Sequence, residues 1–256
     1  MASHHHDYYL HNSLYSDFLE TQDVSDFRRY IDTIQAYVST EKTFLDVGCG
    51  TGIVVDYLAQ EGYKASGVEI SDSSLIIAQK KCGTYLKYDG STLPFLDNDF
   101  DMVGSFNVLE HVENVSRFLT ESIRVTKPGG FIVVCTPNFL SLTNSYHYRT
   151  SGIYRKLTNL VFLLMKSIIN FFLKQPVFDT FPPVERSDFH PDDDAINLTN
   201  PVDLVWWAKR NNLDVVTWYG TTVYSVGLGA NVKEFMCTHW PFKYIMGSIL
   251  IVYRKK

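Results

Sequence analysis

The sequence is short of several things, and each shortage excludes a class. Its four cysteines, Cys49, Cys82, Cys135 and Cys237, form no C-x-x-C pair in 256 residues. A zinc ribbon or a disulfide scaffold needs paired spacings, so the thiols read as reduced, structural side chains of a cytoplasmic protein. Positive charge is scarce: the net charge is −5, which argues against a wide basic face for DNA or RNA. The first residues are polar and carry no apolar h-region, so no signal peptide is expected, and His4-His5-His6 is set aside from the site argument. There is no internal repeat and no low-complexity tract.

What is present suits one domain carrying a large insertion. Hydrophobic residues make up 45% and charged residues 20%, enough apolar surface for a substantial core. The texture divides the chain into N-terminal helices (1–40), a core (41–137), an insertion (138–200) and a C-terminal return to the core pattern (201–256). Apolar runs at 43–47, 65–70, 85–88, 100–106 and 131–135 read as strands. They alternate with helical patterns at 54–61, after Ser71 and at 115–123, and Lys127-Pro128-Gly129-Gly130 ends the last. Alternation of this kind predicts right-handed crossovers and a parallel sheet. A helix over 201–210 and strands at 214–218 and 248–253 follow.

The first strand runs into Asp46-Val47-Gly48-Cys49-Gly50-Thr51-Gly52. Glycines here let the backbone approach a ligand, and the next helix offers free N–H groups. A pyrophosphate-binding turn wants G-x-G-x-x-G, but Ile53 occupies its third position and an acid precedes the turn. Asp46 is better suited to orienting the loop and a cationic amino acid moiety.

This segment resembles the first motif, D-x-G-x-G-x-G, of the class I S-adenosylmethionine-dependent methyltransferases, and the later motifs follow in order. The resemblance is strong over 40–137 and looser over 201–256. It implies a Rossmann-like, seven-stranded, mostly parallel α/β sheet with helices on both faces, the last strand antiparallel, and a helical cap insertion. It implies S-adenosylmethionine as cofactor and S-adenosylhomocysteine as product. The cofactor would lie on Asp46, Gly48, Cys49, Gly50 and Gly52. Glu69 would accept the ribose hydroxyls, Ile70 would lie against adenine, and Asp89-Gly90 would meet the adenine edge. Phe106 and Asn107 would stand in the loop beside the methyl group.

His111 is the first candidate base, since it follows strand four at the carboxyl edge of the sheet. The competing reading, a histidine that caps the next helix or packs beneath the cofactor, has equal standing. His190 is the second, within Ser187-Asp188-Phe189-His190-Pro191-Asp192-Asp193-Asp194. That cluster suits a divalent ion or a polar substrate, although a solvated loop is the preferred reading, and no metal site is expected. Tyr146 and His147 are weaker candidates, and Tyr15, Arg28 and Tyr30 are placed to close over the cofactor or simply to pack on the sheet edge.

Asn107-Val108-Leu109-Glu110 stands where nucleic-acid amino-methyltransferases carry an N/D-P-P-Y/F motif, so DNA is not expected as substrate. The expected acceptor is a small molecule methylated on oxygen: a sugar, a phenol or quinone, or a lipid-linked intermediate. A protein or RNA methyltransferase and a non-catalytic cofactor sensor are the alternatives. Within the insertion, 157–173 is strongly apolar with a polar stripe of Asn159, Lys166, Asn170 and Lys174. The preferred reading is a lid over an apolar substrate, followed by a membrane-interface helix and then a dimer contact. The stripe argues against a membrane span.

Overall fold

The computed structural model describes residues 13–142, 153–183, 194–221 and 230–256. Seven strands form one sheet: β1 (Thr43–Val47), β2 (Lys64–Glu69), β3 (Thr84–Lys87), β4 (Phe100–Phe106), β5 (Thr126–Thr136), β6 (Leu213–Thr221) and β7 (Ser248–Lys255). Their order is β3-β2-β1-β4-β5-β7-β6, and β7 runs antiparallel to both neighbours. The helices among the described residues are α1 (Ser13–Glu20), α2 (Arg28–Tyr37), α3 (Ile53–Gln60), α4 (Asp72–Ala78), α5 (Val115–Val125), α6 (Ile153–Phe172), α7 (Pro201–Arg210) and α8 (Ala230–Thr238).

Strand periodicity divides the core into two layers, because neighbouring side chains point to opposite faces. Phe44, Met102, Val133, Leu250 and Val252 face α2 and α3 through Tyr30, Ile31, Ile34, Val55 and Leu58. Their sequence neighbours Leu45, Val103, Ile132, Val134, Ile251 and Tyr253 pack on the other side against Phe118 and Leu119 of α5 and Leu204 and Trp207 of α7. Continuous apolar strands are what a sheet covered on both faces requires.

The helix ends follow local chemistry. Ser71 accepts from the Ser74 N–H at the start of α4, and Asn114 accepts from Arg117 at the start of α5. Gly62, just past α3, has φ +87°. One strand starts earlier than its apolar run suggests. Thr126 pairs with Phe100 before a register shift, so β5 includes the Pro128-Gly129-Gly130 segment.

The insertion differs from expectation in one respect. Helix α6 turns Asn159, Lys166 and Asn170 of the polar stripe inward, while Lys174 past its end and Leu164, Ile168 and Phe172 are exposed, the last by 78%. The apolar side of α6 is thus its outward side. No helix among the described residues is long and apolar enough to cross a membrane.

Candidate active site

The glycine turn lies at the carboxyl end of β1, in the centre of the sheet where the strand order reverses. Gly48, Gly50 and Gly52 have φ of +75°, +53° and +82°, the left-handed region that glycine adopts without penalty. A Cβ on Gly48 would fall 2.5 Å from Val108 Cγ2, and one on Gly52 would fall 2.7 Å from the Tyr85 ring. Leu19 of α1 lies over Gly50, where a Cβ would meet its Cδ1 at 2.9 Å. Leu19 is thus packed directly on the glycine loop. Arg28 instead pairs with Asp32 at the surface, and the Tyr15 side chain lies outside the described residues.

Two buried carboxyls frame the turn. Glu69, at the end of β2, accepts from the N–H groups of Gly50 at 2.8 Å, Ile70 at 2.8 Å and Ser71 at 2.9 Å. Burial raises its pKa, although these three donors pull the other way. Glu69 therefore holds the glycine loop against the start of α4, a role that the motif alone does not reveal. Asp46 is buried on β1 and accepts from the Tyr30 hydroxyl at 2.7 Å. Burial pushes its pKa up to about 7, the Tyr30 bond opposes this, and the nearby Glu69 adds to it. Tyr30 reaches Asp46 across Gly104 of β4, where a Cβ would fall 2.1 Å from the hydroxyl.

That geometry makes Tyr30→Phe informative. Because the lost hydrogen bond favours the ionised carboxyl, the Asp46 titration midpoint should rise by roughly one unit, as followed by carboxyl-carbon NMR. An unmoved midpoint would break the proposed link between α2 and the turn.

The remaining cofactor candidates line the same edge. Ile70 is half-buried beside Glu69. Asp89 is exposed and accepts from the Ser91 and Thr92 N–H groups, both at 2.8 Å, through one oxygen, which keeps its pKa low. Gly90 follows with φ +76°. Phe106 packs against Phe27 and Tyr30, and Asn107 takes φ +52° as the chain leaves β4. Cys49 is buried, and burial raises its pKa well above the usual thiol value.

On the β4 side, His111 sits between two carboxyls. Its Nδ1 lies 3.3 Å from Asp194 Oδ2 and its Nε2 lies 3.8 Å from Glu110 Oε1. Asp194 is buried, and burial pushes its pKa up to about 7. Glu110 is fully buried and accepts from the Thr136 hydroxyl at 3.0 Å. Residues 194–199 are fastened here because Ile196 and Asn197 donate to the Glu110 carbonyl and Asn197 Nδ2 donates to the Val112 carbonyl. The acidic cluster therefore reaches the site through its last member, Asp194. His190, Tyr146 and His147 lie outside the described residues. Among the described residues no group of three potential metal ligands was found.

A family described as a methyltransferase domain matches residues 45–134, the stretch from β1 to β5. A demethylmenaquinone methyltransferase of Tropheryma whipplei is 36% identical over 102 residues, covering 38% of this chain. The match spans 43% of that relative, less than half its length. A ubiquinone biosynthesis O-methyltransferase of Dechloromonas aromatica is 32% identical over 237 residues, covering 87% of this chain and 88% of that protein. The chain belongs to the class I S-adenosylmethionine-dependent methyltransferase family. Its fold is shared with an S-adenosylmethionine-dependent methyltransferase from Mesorhizobium loti, at a TM-score of 0.59 and 16% identity, covering 88% of this chain and 96% of that one.

The turn of this methyltransferase fits the family's cofactor. Its framing side chains are acids, Asp46 and Glu69, which suit a cationic ligand with hydroxyls. A pyrophosphate would meet repulsion from both.

Proposed function

We propose that this methyltransferase moves a methyl group from S-adenosylmethionine to the hydroxyl of a small aromatic acceptor, with His111 as general base. The single observation that carries the reading is the His111–Asp194 pair beside the end of β4. The two relatives above are named for menaquinone and ubiquinone chemistry, which supports a phenol- or quinone-like acceptor. Phe139 and Phe181 pack edge to face, ring centroids 5.3 Å apart, beside the 194–199 segment.

S-adenosylmethionine brings a methyl already activated on a sulfonium, so the chain's task is alignment and proton removal. Asp46 and the glycine loop would hold the amino acid end. Glu69 would accept from the ribose hydroxyls, Asp89 would meet the adenine edge, and Phe106 and Asn107 would border the methyl. Orientation alone can contribute roughly 7–11 kcal/mol to such a displacement. A phenol ionises near pH 10 in water, so a base near neutrality is well matched to it. Asp194, 3.3 Å from His111 Nδ1, would stabilise the imidazolium that forms when Nε2 takes the proton.

The pH dependence has a definite sign. Asp194, raised to about 7, is ionised above that pH and neutral below it. With Asp194 neutral, the imidazolium formed by proton transfer to His111 loses its stabilising carboxylate, so kcat/KM should rise with pH through about 7. Replacing His111 with Ala should cut kcat by about a hundredfold or more and leave S-adenosylhomocysteine affinity nearly unchanged. Both are read with methyl-labelled donor and a panel of catechols, simple carboxylic acids and peptides. Labelling of peptides alone would remove the acceptor assignment, and full activity of His111→Ala would remove the base.

A further inference from the structure

We infer that the outer face of α6 docks this protein on an anionic lipid bilayer. Beside Leu163, which packs with Leu140 and Val202, the inner face of the helix carries buried polar side chains. Its inner stripe is polar and tied down: Lys166 Nζ donates to Asp203 Oδ2 at 2.7 Å, and Asn170 Nδ2 donates to Asp203 Oδ1 at 2.7 Å. Lys166 also pairs with Asp179, and Asn159 donates to the Phe139 carbonyl at 3.3 Å. These bonds fix the rotation of α6 about its axis, and the rotation leaves Leu157, Val161, Leu164, Ile168, Phe171 and Phe172 outward. An unbroken apolar strip along a 20-residue helix is far more than scattered surface hydrophobics account for.

Charge around the strip identifies its partner. The chain as a whole is acidic, yet no Asp or Glu occurs from Ile153 to Phe178. At the carboxyl end of α6 the cations gather. Lys209 and Arg210 are exposed and stand over the Trp206 ring at 5.0 and 5.4 Å, and Trp206 meets Phe171 edge-on. Exposed Lys174 follows in sequence. An apolar strip bordered by an aromatic ring and by cations fits a helix lying in the headgroup layer, with acyl chains against leucine and phenylalanine and anionic headgroups against lysine and arginine. The same strip on a second copy has no acidic side chain from Ile153 to Phe178 to answer these cations, which disfavours the dimer. Docking does not depend on which acceptor is methylated.

The test uses the full chain and sedimentation with lipid vesicles of phosphatidylcholine alone or with about 30 mol% phosphatidylglycerol. The protein should pellet with the anionic vesicles, and binding should weaken in high salt because headgroup attraction is screened. The triple variant Leu164→Gln, Ile168→Gln, Phe172→Gln should lower vesicle partitioning by about tenfold or more. The variant Lys174→Glu, Lys209→Glu, Arg210→Glu should erase the preference for anionic lipid. Calorimetric binding of S-adenosylhomocysteine, retained in both, certifies the fold. The idea is overturned if the parent protein ignores both vesicles or if the triple variant pellets as the parent does. A parent dimer in sedimentation velocity that the triple variant dissociates, with no vesicle binding, would make the face a homodimer contact instead.

Discussion

Replacing Glu69 with Ala should weaken S-adenosylhomocysteine binding by about two orders of magnitude, equivalent to about 2.7 kcal/mol. Two losses combine. The Gly50, Ile70 and Ser71 N–H groups lose the carboxylate they share, which loosens the glycine loop. The assigned ribose hydroxyls lose a charged acceptor, the stronger kind of hydrogen bond. Titration with 2′-deoxy-S-adenosylhomocysteine separates the two. If Glu69 binds the ribose, the parent protein should discriminate against the deoxy analogue and Glu69→Ala should not. A variant that keeps parental affinity would sink the ribose assignment, and one that loses affinity but keeps the discrimination would reduce Glu69 to a brace for the loop.

Much of this site is legible in the chain because its parts are local. The turn after β1 needs glycines where φ is positive, and 48, 50 and 52 supply them in one run. Glu69 ends β2 and Asp89 follows β3 by two residues, and it is the order of motifs in the family resemblance that marks both. The parts that are not legible depend on distant partners. Asp194 lies in an acidic cluster that reads as solvated, and only the folding of 194–199 onto the Glu110 carbonyl brings it to His111. The role of Tyr30 depends on Gly104 leaving room over β4 for its hydroxyl. The orientation of α6 shows the limit most clearly. Its periodicity gives two faces and says nothing of which one turns inward. The usual preference for burying the apolar face is reversed here by a carboxylate 37 residues from Lys166.

That carboxylate supplies the other large effect. Asp203→Ala should cost about 3–5 kcal/mol of stability, the usual result of stranding one partner of a buried ion pair. The side chain serves two elements together. It accepts from Lys166 and Asn170 of α6, and it accepts from Asn200 Nδ2 at 2.7 Å while its own N–H donates to Asn200 Oδ1 at 3.0 Å, closing the first turn of α7. Removing it leaves an ammonium buried with Asp179 as its remaining carboxylate. The double variant Lys166→Met, Asp203→Leu tests what the pair is for. Matched apolar side chains should recover much of the stability in urea denaturation, because a buried pair adds little net energy once both charges are gone. They should not recover the rotational setting of α6, since an apolar inner stripe no longer distinguishes itself from the apolar outer one. Vesicle binding in the double variant should therefore fall although the protein stays folded. If Asp203→Ala costs less than about 1 kcal/mol, the range of an exposed pair, the network does not hold α6. If the double variant binds vesicles as the parent does, apolar packing alone sets which face of the helix looks outward.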